Sequence, residues 1–431
     1  MRISKKRKRK LFQQQVGGTN PYRLMFWGLL IVIGLVTLRN VQTGEIEPLF
    51  QPTPTPTRSA ASYRAEGAAF FEAGNLTAAV QAYQDALAVD PSDYVGWTDL
   101  ARIQAYSASL LTQGPKRDRL AEARESIANA LELAPNDSTA NAVNAFVLDW
   151  SAGAAGSAAE RQAFLAQAST AAIRAVQLDS RNVYALAYQA EVFADQQQYT
   201  QAFQYAQQAL SLNPNLMDVR RVNAYVNEST GDYAGAIEEY QAATEIAPNL
   251  TFLYISIGQN YRQLALYDEA LDYFDRAATI NEALGIQDPL PYVAIAKTYT
   301  RMGEFFAAAL NAERAIDFDP QNADLYGQLG HIRFQARNYE GAIRVLHCAV
   351  EGCTAEENEE RWAVEVQGLE LTDASVVYYY VYTSATSSLG ECDTALPVVD
   401  QIEAVYADNS LVMAITADNR GTCALLAERD N

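Results

Sequence analysis

Histidine is almost missing from this chain: its 431 residues hold only His331 and His347. Neither stands in a metal-ligand helix motif or near a nucleophile-elbow pattern, so imidazole chemistry has no visible frame. Cysteine is nearly as scarce, and its four copies, Cys348, Cys353, Cys392 and Cys423, all come late. A zinc site built from His347, Cys348 and Cys353 has suitable residue types but lacks the paired spacings of zinc modules. General acid–base work would fall to carboxylates, yet pairs such as Glu238–Glu239 and Glu359–Glu360 read as solvated helix faces or turns. These absences point away from an enzyme and imply no metal and no cofactor.

Lysine is rare as well, since only Lys116 and Lys297 follow residue 10. Nine of the 32 bases lie in residues 1 to 39, which contain no acid; the remainder sets 23 bases against 52 acids, a formal charge of −29. Such a body repels nucleic acid and anionic surfaces at long range, which excludes general polyanion binding. Read alone, the basic run from Arg2 to Lys10 would suit nucleic acid or nuclear import, but its neighbour changes the reading. Leu24 to Leu38 carries no charge and is bracketed by Arg23 and Arg39, whose stems reach toward headgroups. Residues 22 to 41 form a helix of about 30 Å, enough to span a hydrocarbon core. The expected order is a basic cytoplasmic tail (1–21), a transmembrane helix (22–41) and a Pro/Thr-rich linker (42–61) in extended polyproline conformation. Positive flanks stay in the cytoplasm, so everything after the span is expected outside it. A cleaved signal peptide is the competing reading, although no small-x-small site closely follows the apolar run.

From residue 62 the chain is self-similar. Tyr254, Ile257, Gly258 and Tyr261 are followed by Ala270, Phe274 and Ala277. The same frame returns in Tyr292, Ile295, Ala296, Tyr299, Gly303, Ala308 and Ala315, and again in Tyr326, Leu329, Gly330, Tyr339, Ala342, Leu346 and Ala349. Repeat ends at Pro91, Pro135, Ser180, Pro214, Pro248, Glu282, Pro320 and Thr354 are separated by 44, 45, 34, 34, 34, 38 and 34 residues. Apolar positions within each half recur at three and four residues, one face of a helix, and proline stops the second helix. No unit buries its apolar face alone, so neighbours must stack. The pattern resembles the tetratricopeptide repeat, a helix pair of 34 residues. The resemblance covers residues 62–354, about eight repeats, and implies an all-α fold: a right-handed α-solenoid of helix pairs preceded by the single transmembrane helix. The recurring glycines take the helix-crossing position, which explains them without a phosphate loop.

Intervals above 34 put extra residues near Tyr106 to Lys116, Ser151 to Glu160 and Ala283 to Asp288, expected as loop insertions. Residues 138–180 depart most, because their first half lacks the aromatic and glycine positions, and a helix pair is less expected there. Residues 355–431 read as a divergent repeat with capping helices. The run Val376 to Tyr382 (VVYYYVY) has strand propensity, but repeat phase places it in a first helix. Outside the cytoplasm disulfides are permitted. Cys392 with Cys423 would clamp the last helices, and Cys348 with Cys353 would pair across a turn. Free buried thiols are the alternative.

Ligands of tetratricopeptide proteins lie in the concave groove lined by first helices, and the resemblance implies the same here. The positions between packing residues are Arg221, Tyr225, Phe252, Ile255, Gln259, Arg262, Gln263, Lys297, Arg301, His331 and Phe334. Four bases gather there in an otherwise acidic body, which suits a protein or peptide ligand with acidic segments. The Lys and Asn of chaperone-binding members are not reproduced, since Ile255 and Gln259 stand in their places. The expected function is a membrane-anchored protein–protein interaction scaffold; the alternative is a self-assembling structural or assembly factor of the cell envelope. Oligomeric state is not legible in the sequence.

Overall fold

A computed structural model describes residues 20–42, 58–359 and 361–429. The basic tail to residue 19 and the Pro/Thr stretch from 43 to 57 lie outside the described residues. The chain divides into two units, Met1–Arg58 and Ser59–Asn431. In the first, α1 (Pro21–Gln42) is a 22-residue helix. Its stretch Pro21–Asn40 is long and apolar enough to cross a membrane, and a signal sequence has the same make-up.

The second unit is a row of helix pairs. They are α2 (Ala60–Glu72) with α3 (Leu76–Val89), α4 (Tyr94–Ala108) with α5 (Gln113–Leu133), α6 (Ser138–Gly153) with α7 (Ala158–Leu178), and α8 (Val183–Asp195) with α9 (Tyr199–Leu212). There follow α10 (Met217–Ser229) with α11 (Tyr233–Ile246), α12 (Thr251–Gln263) with α13 (Tyr267–Leu284), α14 (Leu290–Met302) with α15 (Phe305–Phe318), and α16 (Ala323–Gln335) with α17 (Tyr339–Val350). The chain then runs through α18 (Val376–Ser388), α19 (Cys392–Tyr406) and α20 (Ser410–Arg429). Among the described residues there is no strand, and one isolated antiparallel bridge joins Cys353 to Val366.

Local chemistry accounts for this pattern. Asn75, Asp93, Asp137, Asn182, Asp232 and Asn338 each cap a helix by accepting an N–H from its first turn. The helix crossing is set by a glycine sixteen residues ahead of a large side chain: Gly67 before Tyr83, Gly258 before Phe274, Gly330 before Leu346. A methyl group at these glycines would lie 2.5, 2.5 and 2.3 Å from those side chains, closer than atoms pack. The turn inside most pairs uses a left-handed residue, although those of α4–α5 and α6–α7 do not. Gly231 and Gly303 supply it, whereas Gln197, Ala265 and Arg337 adopt φ of 60°, 58° and 62° at the equivalent point.

Three expectations are corrected. The extra residues of the long intervals do not form loops: α5 and α7 run to 21 residues each against 14 in α9 and α11, while the connections at 109–112 and 154–157 stay short. The insertion near Ala283 likewise lengthens α13 to 18 residues before the turn at Gly285. Residues 138–180 do form a helix pair, in which buried Ala145, Ala168, Ala171 and Ala172 replace the glycine–aromatic crossing. Small residues on both helices allow the same close approach.

The VVYYYVY run is helical in α18, where Tyr378, Tyr379 and Tyr382 enter a core with Leu346 and Ile402. Cys348 is bonded to Cys353 at the end of α17, and Cys392 to Cys423 between α19 and α20. The segment 351–375 is pinned back onto the repeats. Trp362 meets Tyr326 edge-on at 5.4 Å, and Asn358 donates to the Tyr326 hydroxyl at 3.0 Å.

Candidate functional site

The first helices α4, α6, α8, α10 and α12 direct large side chains to the inside of the row, where the side chains meet one another. Tyr106 lies face to face with Phe252 at 5.3 Å, and Phe146 stacks on Tyr188 at 4.6 Å. Trp150 stands edge-on to Tyr106 at 5.5 Å. Two ion pairs are enclosed with these rings. Arg221 holds Glu191 through two bonds of 2.6 and 2.5 Å, and Arg102 holds Asp218 at 2.9 Å. Asp218 also accepts the hydroxyls of Tyr106 and Tyr188, at 2.5 and 2.6 Å. Burial alone would raise the Asp218 carboxyl, but the Arg102 charge and both hydroxyls outweigh it and hold it below the usual range. The row also touches itself at a distance in sequence, where Asn322 donates to Thr112 at 2.5 Å.

Beside this plug lies a cavity of about 470 Å³. One wall is acidic and aromatic, with Asp149 and Trp150 from α6, Asp195 from α8, and Tyr225 and Glu228 from α10. The other is basic and aliphatic, with Arg262 from α12, Lys297 from α14, and Ile255, Leu290 and Val293 around them. Asp149, 2% exposed, lines the cavity with Asp195, and its Oδ1 has no hydrogen-bond partner among the described residues. Burial first, and then the Asp195 charge, pushes the Asp149 carboxyl far up. Burial also raises Asp195, whose carboxylate accepts the Tyr225 hydroxyl, and Glu228, which accepts Asn260 and Tyr240 at 3.1 Å each.

The bases respond oppositely. Burial lowers the Arg262 guanidinium, the nearby Arg301 charge adds to this, and the buried Arg262 Nε is unpartnered. Crowding in the cavity lowers Lys297, although its side chain reaches solvent. Lys116, on the extended start of α5, is lowered by burial. Among the described residues no carboxylate forms an ion pair with Lys116, Arg262, Lys297 or Arg301.

Of the residues singled out from sequence, Arg221, Tyr225, Phe252, Ile255, Gln259, Arg262 and Lys297 line this one cavity. Arg221 and Phe252 nevertheless belong to the plug, 4% and 7% exposed, with Arg221 committed to Glu191. Arg301, His331 and Phe334 lie outside the lining. Arg301 is exposed; His331 is half-buried, and burial lowers its imidazole; Phe334 packs on Tyr339 at 5.3 Å. The acidic wall escaped the sequence reading except for Tyr225. Its signal was the excess over 34 residues, because Ser109, Lys116, Asp149, Trp150 and Gly153 all sit where α4 to α6 start or end.

Repeated helix pairs crossing at a fixed glycine define a solenoid of the α-helical repeat class. Within it, residues 224–250 and 253–284 match the tetratricopeptide repeat model, which supports that family for the array. Anaphase-promoting complex subunit 3 of Schizosaccharomyces pombe is 28% identical over 176 residues, 40% of this chain and 25% of that protein. BBSome complex member BBS4 of Bos taurus is 24% identical over 163 residues, 38% of this chain and 30% of that protein. The chain thus spans about a quarter to a third of the length of these curated relatives. The crystal structure of yeast Tom70 aligns with a TM-score of 0.50 at 12% identity, over 87% of this chain and 91% of that one, a likeness of fold alone.

Proposed function

We propose that this protein is a non-catalytic interaction scaffold, tethered to a membrane by α1 and presenting its repeats on the extracytoplasmic side. The observation that carries the binding role is the set of cations without ion-pair partners among the described residues, Arg262, Lys297 and Arg301, on the successive inner helices α12 and α14 of a strongly acidic body. Unpaired bases held by a rigid scaffold favour carboxylate-bearing segments through charge-assisted hydrogen bonds. His331 and Phe334 on α16 continue this face, so the working surface runs from α12 to α16. The names of both curated relatives place those proteins in multisubunit complexes, in keeping with such a role. The tether draws support from the apolar length of α1 and from the basic residues before it.

Crosslinking in native membranes, with Arg301→Ala compared against the unaltered chain, tests the surface; an unchanged set of crosslinked partners removes it. Protease digestion of intact cells tests the topology, and full protection of the repeats contradicts it. Self-assembly is the second reading, favoured by Phe306, 87% exposed one helical turn before exposed Leu310 on α15. Light scattering decides it, through a discrete oligomer that Phe306→Ser dissolves.

A further inference from the structure

The cavity between the plug and α14 has walls of opposite charge, each ending in an unsatisfied buried atom. Asp149 Oδ1 on one side and Arg262 Nε on the other have no hydrogen-bond partner among the described residues. A buried polar atom without a partner is destabilising, so a fold that keeps one on each side of a cavity gains when a ligand pairs with the groups that carry them. Asp149 and Asp195 meet that need on one side as acceptors for an ammonium, with Trp150 supplying a ring face beside them. Arg262 and Lys297 meet it on the other as donors to a carboxylate. The lining also carries apolar Phe252, Ile255, Leu290 and Val293. At about 470 Å³ the cavity falls among ligand pockets, which run from about 300 to 1,000 Å³.

We infer that this cavity binds a small zwitterion of the amino-acid or short-peptide class, its ammonium against Asp149 and Asp195 and its carboxylate against Arg262 and Lys297. A simple anion would leave the Asp149 side unsatisfied and be repelled by it. A simple cation would meet Arg262 and Lys297. Burial disfavours the charged form on both walls, and a ligand carrying the complementary charges restores both. The scaffold reading shares Arg262 and Lys297 with this site, and its exposed Arg301, outside the lining, tells the two apart.

The test uses the full chain in detergent micelles, with Ala-Leu-Ala as the probe beside its N-acetyl and C-amide forms. Calorimetry is expected to show the free tripeptide binding, with either block weakening it about tenfold or more. In Asp149→Asn the penalty for acetylation disappears while that for amidation stays; in Arg262→Gln the reverse holds. Should either variant fold poorly, Asp195→Asn and the exposed Lys297→Gln replace them for the two ends. Equal binding of all three peptides, or tighter binding of putrescine or acetate than of the tripeptide, overturns the inference. So does the absence of heat and of any rise in melting temperature at about 10 mM peptide. Arg301→Ala leaves tripeptide binding unchanged, which separates this result from failure of the partner surface.

Discussion

Tyr106 donates its hydroxyl to Asp218 at 2.5 Å across 112 residues of sequence. The bond joins the second repeat to the fifth through the interior of the array, and Asp218 accepts Arg102 and Tyr188 at the same point. Removing this carboxylate leaves the Arg102 guanidinium buried without its counter-charge. Asp218→Ala is therefore expected to cost about 3–5 kcal/mol, read as a lower denaturant midpoint by circular dichroism. Asp218→Asn, which keeps an acceptor for one hydroxyl, should cost less.

Ala265 occupies a left-handed turn position that glycine fills at 231 and 303. Its methyl group costs about 1–2 kcal/mol there, partly offset by the greater freedom glycine has in the unfolded chain. Ala265→Gly is accordingly expected to raise the melting temperature slightly, while Gly231→Ala lowers it. A fall in the first variant would show that the turn is not strained.

Asp288 is buried at the entry to α14, where it accepts Leu290 N–H at 2.9 Å and Asn281 at 2.8 Å. Burial outweighs both bonds and pushes its carboxyl up to about 7. A folded-state value raised above the unfolded one means that its contribution is full below the unfolded value near 3.8 and is lost as pH rises through about 7. At about 1.4 kcal/mol per pKa unit the loss is at most about 4 kcal/mol. Asp288→Asn should flatten the stability–pH curve between pH 4 and pH 8, within the window those two values set. Parallel curves for the two proteins would contradict this.

Cys392 and Cys423 are 31 residues apart and close the last two helices on each other. A loop of that length gives about 3.5 kcal/mol in the chain-entropy model, felt locally because the bridge joins only α19 to α20. Reduction, or Cys423→Ser, should speed amide exchange in α19 and α20 while leaving α8 to α12 unchanged. Uniform protection throughout would refute the local role.

Much of the fold was legible because its physics is local. The sixteen-residue step from Gly258 to Phe274, the proline stops and the capping residues all act within one repeat, and a period exposes them. Residues 138–180 were harder because alanines such as Ala168 and Ala172 solve the same packing problem without the marked residue types. For the cavity, sequence reached the basic wall and, on the acidic one, Tyr225 alone. Arg262 and Lys297 stand at groove positions of ordinary repeats, whereas Asp149 and Trp150 lie on extra helical turns that a repeat frame treats as insertions. The plug was illegible for a different reason: the pairing of Tyr106 with Asp218 depends on how far the row curls, which sums small rotations over several units.

The bond between Thr112 and Asn322 spans 210 positions of the chain. An ordinary solenoid lengthens under tension like a coil spring, each unit yielding a little against its neighbours. A clasp between distant turns, together with the enclosed Arg102–Asp218 and Arg221–Glu191 pairs, resists that elongation in shear. Pulled from its two ends, this array would first extend only outside the clasped segment. It should then give way in one abrupt step when the clasp fails, a signature that single-molecule force measurements resolve.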